Sequence, residues 1–485
     1  MPDPARSGRA LGPDADGDRP GRRSGARDRS GHGQGRNLFQ EQLSVEGSYV
    51  WRYDASDLSQ RRGEAVTTLG QGWTEPPGTP AVGLAYLAAF KATGRPLFMD
   101  MAKATARALL RTQLESGGWQ ALLEFDPVAR AAWCYRADAG TGRPDCEAIE
   151  GNKLRNVTNI DDNISQASLT FLIRLDSELR GEWGDLRKAA MFGLEGLLEM
   201  QYPNGSWPVR SDFKIPDALT NSAWRARYPA EWSRTYVEPA GEFYITNDHV
   251  VRDTIRMFLL AADTYREPAY LATARRAGDF LLAARLPESQ PGWAQTYNPD
   301  LEPIWGRKFE PPAIAAYETA SSIEALLELY AATGERRYLE GIDPPARWLE
   351  QSRLPEGDWA RFYELETNRP LYFDADYQIT HDGGEAPDHY SFRGSFGIPS
   401  VLERYRQAAD GEVLAGQADV SPVPSDADVE AITGALDDQG RWVEDGLIHS
   451  GSFVRNLAAL ASFAAAEKGV SLPDYIRPVR HKLDF

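Results

Sequence analysis

Cysteine is nearly absent from this 485-residue chain, with only Cys134 and Cys146 present. Two thiols allow one disulfide but exclude a disulfide-built scaffold or a four-thiolate zinc site. No run reaches the roughly 18–20 apolar residues that a membrane helix requires, so a spanning protein is excluded. Basic residues are also short, with 53 Lys and Arg against 71 Asp and Glu and a net charge of -18. Such a surface repels nucleic acid and anionic lipid, so an anionic substrate must be met by a local basic cleft. Three signatures are missing as well: a phosphate-binding loop closing in Lys-Ser/Thr, His-Glu-x-x-His, and Gly-x-Ser-x-Gly. Of the six histidines, His32 and His481 lie near the ends, so a zinc hydrolase has little to stand on.

What is present is apolar and aromatic: 42% and 11% of residues, respectively. Many tryptophans stand beside glycine, a pairing that suits sugar platforms, and Trp207, closing the loop Asn204-Gly205-Ser206, is also a candidate for the sugar chain. Residues 1–36 are rich in Arg, Gly and Asp and hardly apolar, so they are expected to be disordered. They also lack the apolar stretch of an export signal. Residues 37–485 are expected to form one domain.

From Val82 the spacing predicts helices, with Ala-Thr-Gly at 92–94 as a turn before Pro96. This helical hairpin ends in Gly118-Trp119, and the same device returns at Trp207, Trp293 and Trp359. Repeated hairpins closed by one loop type predict an all-α (α/α) toroid with the Gly-Trp loops at one end. Short strands are expected over Trp359 to Leu365 and Pro370 to Phe373. Residues 411–428 read as a surface loop, and a closing helix is expected around Val454 to Glu467.

Polar clusters interrupt the pattern at helix starts. Asn159-Ile160-Asp161-Asp162-Asn163 and Ile245-Thr246-Asn247-Asp248-His249 match one another. Helix capping accounts for one such cluster, but two with adjacent carboxylates and carboxamides suit a hard cation such as calcium. A third segment, Arg307-Lys308-Phe309-Glu310-Pro311-Pro312, could fix a guanidinium in a cleft. A fourth carries Arg361 and Arg369 among aromatic residues, as recognition of a carboxylated sugar requires.

Together these segments resemble the pectic acid lyase family, polysaccharide lyase family 10. The likeness rests on Ile160 to Asn163 before Phe171-Leu172, Ile245 to Asp248, Arg307 to Pro312, and Trp359 to Glu364 with Thr367 to Pro370. The resemblance implies an (α/α) toroid that cleaves a polyuronate such as pectate by calcium-assisted β-elimination. It further implies Asp161 and Asp248 as calcium ligands and Arg307 as the base. Asn247, Lys308, Arg361, Arg369 and Trp207 are then candidates for contact with the sugar chain. A guanidinium base is demanding, because its pKa ordinarily exceeds 12, and His249 is the fallback.

The pattern departs from the family at Asp374-Ala375-Asp376 and Ala386-Pro387-Asp388, where basic residues are usual. That puts pectate itself in question more than elimination. A toroid hydrolase pairing Asp161 or Asp248 with Glu310 is one alternative. A carbohydrate-binding relative without activity is the other. The protein is expected to act as a monomer, secreted or periplasmic on functional grounds, with the cytoplasm as the alternative because no export signal is visible.

Overall fold

The computed structural model describes residues 39–142, 145–146, 153–211, 225–241, 243–384, 386–387, 389–412, 423–470 and 472. The Arg/Gly-rich segment 1–36 lies outside them.

Four copies of one unit build the core. Each runs from a short strand into an inner helix, back along an outer helix, through a tryptophan loop, and into a strand that pairs with the first. The helix pairs are α1 (Thr79–Thr93) and α2 (Pro96–Thr112), then α3 (Ile164–Glu178) and α4 (Gly184–Glu199). They continue as α5 (Val250–Tyr265) and α6 (Pro268–Ala284), then α7 (Ala316–Thr333) and α8 (Arg336–Gln351). The strand pairs are β1 (Gln71–Trp73) with β2 (Leu122–Glu124) and β3 (Thr158–Asn159) with β4 (Arg210–Ser211). They are followed by β5 (Tyr244–Ile245) with β6 (Thr296–Tyr297) and β7 (Ala313–Ala315) with β8 (Phe362–Glu364), all antiparallel.

Helices α9 (Ile398–Ala409), α10 (Asp426–Gly434) and α11 (Ser450–Glu467) follow, and one short helical turn over Pro127–Arg130 lies between the first two units. The inner helices pack side by side in the sequence α11, α1, α3, α5, α7, α9, with α2, α4, α6 and α8 outside their partners. A strand over Arg52–Asp54 pairs with Leu447–His449, which ties the two ends of the folded chain together. The architecture is an (α/α) toroid. Among the described residues no helix is long and apolar enough to cross a membrane.

The tryptophans cap the outer helices. The last carbonyls of a helix have no partner within it, and here an indole N–H supplies one. Trp119 donates to the Leu109 carbonyl at 3.0 Å, Trp207 to Leu197 at 2.8 Å, Trp293 to Leu281 at 2.8 Å and Trp359 to Leu349 at 2.7 Å. The glycine before the ring permits close passage. A Cβ on Gly118 would meet Thr158 at 2.4 Å, and one on Gly292 would meet Ile314 at 2.6 Å. The loops therefore do gather at the N-terminal end of the inner helices, while their rings point into the core. Trp207 is 1% exposed, so it is a core residue and not a sugar platform.

The interval 411–428 is also corrected. Helix α10 begins inside it at Asp426, with Ser425 and Asp428 forming a reciprocal capping box. Trp442 then donates to the Ile432 carbonyl at 2.8 Å, a fifth use of the tryptophan cap. Cys134 and Cys146 are joined in a disulfide.

Candidate active site

Two identical turns deliver the central carboxylates. After β3, Asp162 has φ 47° and ψ 33°, and Asn163 follows at φ 60° before α3 begins. After β5, Asp248 has φ 46° and ψ 32°, and His249 follows at φ 62° before α5 begins. Left-handed backbone is uncommon outside glycine and is tolerated best by Asn, Asp and His. Neither Asn163 nor His249 makes a side-chain cap bond to its helix. Capping thus does not explain these residues.

The turns face one another, so that carboxylate oxygens of Asp161, Asp162 and Asp248 all lie within 4.8 Å. Three like charges at that spacing repel. The N-termini of α3 and α5 offset part of this repulsion through their dipoles. Arg210 contributes little, with its guanidinium 3.8 Å from Asp161 Oδ2. Asn247 Nδ2 donates to Asp248 Oδ2 at 3.1 Å, while its Oδ1 is buried without a hydrogen-bond partner. An all-oxygen donor set with an unpaired carboxamide oxygen beside it fits a hard cation. In the fold, Asp162 is the counterpart of Asp248 and Asp161 that of Asn247. Asp161 and Asp248, the two expected cation ligands, both lie in the cluster, and Asp162 joins them.

Opposite the cluster stands the loop carrying Arg307. Its backbone N–H donates to Glu310 Oε2 at 2.9 Å and its guanidinium to Glu310 Oε1 at 2.5 Å. A side chain at Gly306 would meet Glu310 Oε2 at 2.7 Å, so glycine is what lets the carboxylate fold back on its own loop. The guanidinium is also 3.6 Å from Asp248 Oδ2 and 5.0 Å from the Phe309 ring centroid. Partial burial acts to lower its pKa, but Glu310, Tyr390 and Asp248 outweigh that and hold it above the usual arginine value.

A hydrogen-bonded chain continues inward from Glu310. Tyr390 donates to Glu310 Oε1 at 3.2 Å and accepts from Gln295 Nε2 at 3.0 Å. Gln295 also donates to Glu318 Oε1 at 2.8 Å. Glu318 is fully buried, with Arg361 at 3.5 Å and Oε2 without a hydrogen-bond partner. Burial raises its carboxyl pKa to about 7, against the lowering pull of Arg361 and Gln295. The Arg361 guanidinium lies between rings, 4.2 Å from the Tyr390 centroid and 4.6 Å from that of Tyr317.

Inner helices α5 and α7 meet in constant register below the cluster. His249 Nδ1 and Ser321 Oγ are 2.7 Å apart, Arg252 donates to Glu324 at 3.0 Å, and Arg256 to Glu328 at 2.6 Å. Each pair is 72 residues apart in sequence. Arg404 on α9 joins at Glu324, 3.1 Å away. His249 Nε2 is hydrogen-bonded to the Tyr317 hydroxyl. Burial, then Arg252, Arg256 and Arg361, push the imidazole pKa well below its usual value.

The remaining candidates stand apart from this network. The Lys308 ammonium lies 3.6 Å from the Tyr377 ring centroid, committed to a cation–π contact. Arg369 is exposed in the turn between β8 and β9 (Pro370–Phe373), at the end of β8 remote from Arg361. Asp162, Gln295, Tyr317, Glu318 and Ser321 were not singled out from sequence as site residues. The signal for Asp162 was the alignment of its turn with that of Asp248; the α7 residues had none, because Tyr317 to Ser322 reads as an ordinary helix start.

No family model matches the chain, and no curated protein matches it in sequence. Among solved structures it is similar to the family 10 polysaccharide lyase from Cellvibrio cellulosa, at 15% identity and a TM-score of 0.46, over 67% of this chain and 95% of that one. A mutant of that enzyme in complex with trigalaturonic acid matches at 14% and 0.45, over 68% and 98%. The GH76 α-mannanase of Bacteroides thetaiotaomicron matches at 11% and 0.43, over 90% and 94%.

Proposed function

We propose that this toroid is a carbohydrate-active enzyme that cleaves a polyuronate by calcium-assisted β-elimination. One observation carries the reading: Arg307 stands 3.6 Å from Asp248, itself one of three carboxylates gathered within 4.8 Å. An acidic cluster beside a guanidinium gives a uronate carboxylate two positive partners, the arginine and a bound cation. Calcium, when bound, supplies positive charge that stabilises the enolate-like carboxylate formed as the C5 proton leaves.

Asp161, Asp162, Asp248 and Asn247 would hold the ion. Arg307 is proposed as the group that takes the proton, and its partners set a condition on that role. Glu310 and Asp248 hold the guanidinium protonated in the free protein. Arg307 can accept a proton only once both carboxylates are engaged elsewhere, and Glu310 already has a second donor in Tyr390. A paired-carboxylate hydrolase has less support. Glu310 is tied to Arg307, and Glu318, whose pKa is raised, is fully buried.

The disulfide fits a secreted or periplasmic protein. Incubation with pectate, alginate and glucuronan, with and without calcium, tests the reading. Ultraviolet absorbance from an unsaturated product that requires calcium is expected with one of them. Reducing ends without that absorbance would instead identify a hydrolase.

A further inference from the structure

The chain is acidic overall, with a net charge of -18, so each carboxylate of a polyuronate needs a cation held locally. The other cations near the site are already committed. Arg307 is bonded to Glu310, Lys308 lies against the Tyr377 ring, and Arg361 is buried between Tyr390 and Tyr317. Arg210 is different. Its side chain is 51% exposed, and its guanidinium stands 3.8 Å from Oδ2 of Asp161, a member of the carboxylate cluster. That separation is too long for a hydrogen bond, and the guanidinium makes none among the described residues.

The backbone fixes this arginine beside the cluster. The Ile160 N–H donates to the Val209 carbonyl at 2.9 Å, and Arg210 then lies opposite Asn159 in the pairing of β3 with β4. Asn159 Oδ1 in turn accepts from the Asp161 N–H at 2.9 Å. Successive strand side chains point to opposite faces: Ser211 is buried and Arg210 is exposed. The same position opens the returning strand in every unit, opposite the last residue of the strand it joins. Leu122, Arg210, Thr296 and Phe362 occupy it. Strand pairing there needs no charge, because Leu, Thr and Phe serve in the other three units. The one charged residue stands in the unit that supplies Asp161 and Asp162.

We infer that Arg210 binds a second carboxylate of the substrate, on a sugar next to the one that reacts, and so selects chains with consecutive free acids. The inference rests on the polyuronate reading and adds a specificity-determining residue to it. Arg307 stands at Asp248 and Arg210 at Asp161, so the two guanidinium groups meet different members of one cluster. A planar guanidinium takes a carboxylate through two parallel N–H bonds, and those of Arg210 are uncommitted. Asp161 ceases to compete for the guanidinium once it faces a bound cation. A methyl ester at the neighbouring sugar carries no charge and forfeits the pairing.

The test is binding, read by calorimetry in the presence of calcium, of pectate, alginate and glucuronan as free acids and after partial methyl esterification. Wild type should prefer the free-acid form of the polymer it binds. In Arg210→Gln, affinity for that form should fall by about tenfold or more, the scale of a lost charge-assisted pairing. Affinity for the esterified form should fall less, so that the preference shrinks. Arg210→Lys keeps the charge without the fork and should fall between the two. Both variants should melt at the wild-type temperature, because the side chain is half exposed and makes no hydrogen bond. Where unsaturated product forms, KM should rise in Arg210→Gln while kcat largely remains. An unchanged affinity for the free acid, an equal loss on both forms, or a loss that accompanies a lowered melting temperature would overturn the assignment. Wild type that binds the free acid without forming unsaturated product would remove the elimination reading, and the binding comparison would still decide the role of Arg210.

Discussion

Asp162 and Asp248 hold the same backbone conformation, φ 47° and ψ 33° against φ 46° and ψ 32°, in two turns that face each other. Residues placed in the left-handed region at a cost of order 1–3 kcal/mol are found where function fixes them. Here the conformation brings two carboxylates together without satisfying a helix end. Local comfort has been exchanged for a cluster of charge.

The first prediction concerns that cluster. Asp162→Gly and Asp248→Gly each remove a repelling carboxylate and relieve a left-handed side chain. Without calcium, both variants should melt at or above the wild-type temperature. Calcium should raise the melting temperature of the wild type and leave theirs nearly unchanged, with calcium-dependent turnover lost. Thermal melts with and without the ion decide it. A lower melting temperature together with retained turnover would return both residues to a structural role.

The second concerns Glu318, whose pKa is raised by burial to about 7. A glutamate in the unfolded chain titrates near 4.3. Between those values the native state holds a proton that the unfolded state has released. Stability therefore falls with rising pH across that window, and the contribution is complete below it. Glu318→Gln cannot ionise and lacks this slope. The difference in melting temperature between wild type and variant should shift in favour of the variant as pH rises from about 4.3 to about 7. A difference flat in pH would show that Glu318 ionises normally in the folded protein.

Trp207 gives the third prediction, and it shows where sequence reasoning stopped. Recurrence of a glycine-containing loop closed by tryptophan after each helical hairpin was legible, and it led to the toroid and to the end where the loops gather. The direction of the rings was not. Whether an indole faces a cleft or caps a helix depends on the Leu197 carbonyl beneath it, and chain spacing alone does not place that group. The matched clusters at Asp162 and Asp248 were visible for the same reason of repetition. Glu318 and Tyr317 were hidden, because their surroundings come from Gln295, Arg361 and Tyr390, which lie in other segments of the chain. Trp207→Ala should cost about 3–5 kcal/mol as a core deletion. Its KM for any oligouronate should stay near wild type while the fold persists, as steady-state kinetics below the melting temperature would show. A selective rise in KM without lost stability would restore the sugar-platform role.

The fourth prediction separates the two things Arg307 could do. Its guanidinium reaches Glu310 at 2.5 Å and Asp248 at 3.6 Å, so it is positioned both to bridge carboxylates and to meet a substrate between them. Arg307→Lys keeps the positive charge but loses the planar fork, and its nitrogen falls short by more than about an ångström, a misplacement that can cost about a hundredfold in rate. If Arg307 takes the C5 proton, the lysine variant should lose kcat by about that factor while oligouronate binding survives. If it only grips the sugar carboxylate, the dissociation constant should rise and kcat should largely remain. Glu310→Gln sharpens the choice, because it removes the strongest partner that keeps the guanidinium protonated. A base freed in this way should work at lower pH than in wild type, and the acidic limb of the rate profile should move down. A carboxylate clamp freed in this way should bind oligouronate more tightly, with the acidic limb unmoved. Unchanged kcat in Arg307→Lys, joined to an unmoved limb in Glu310→Gln, would take the proton-accepting role from Arg307.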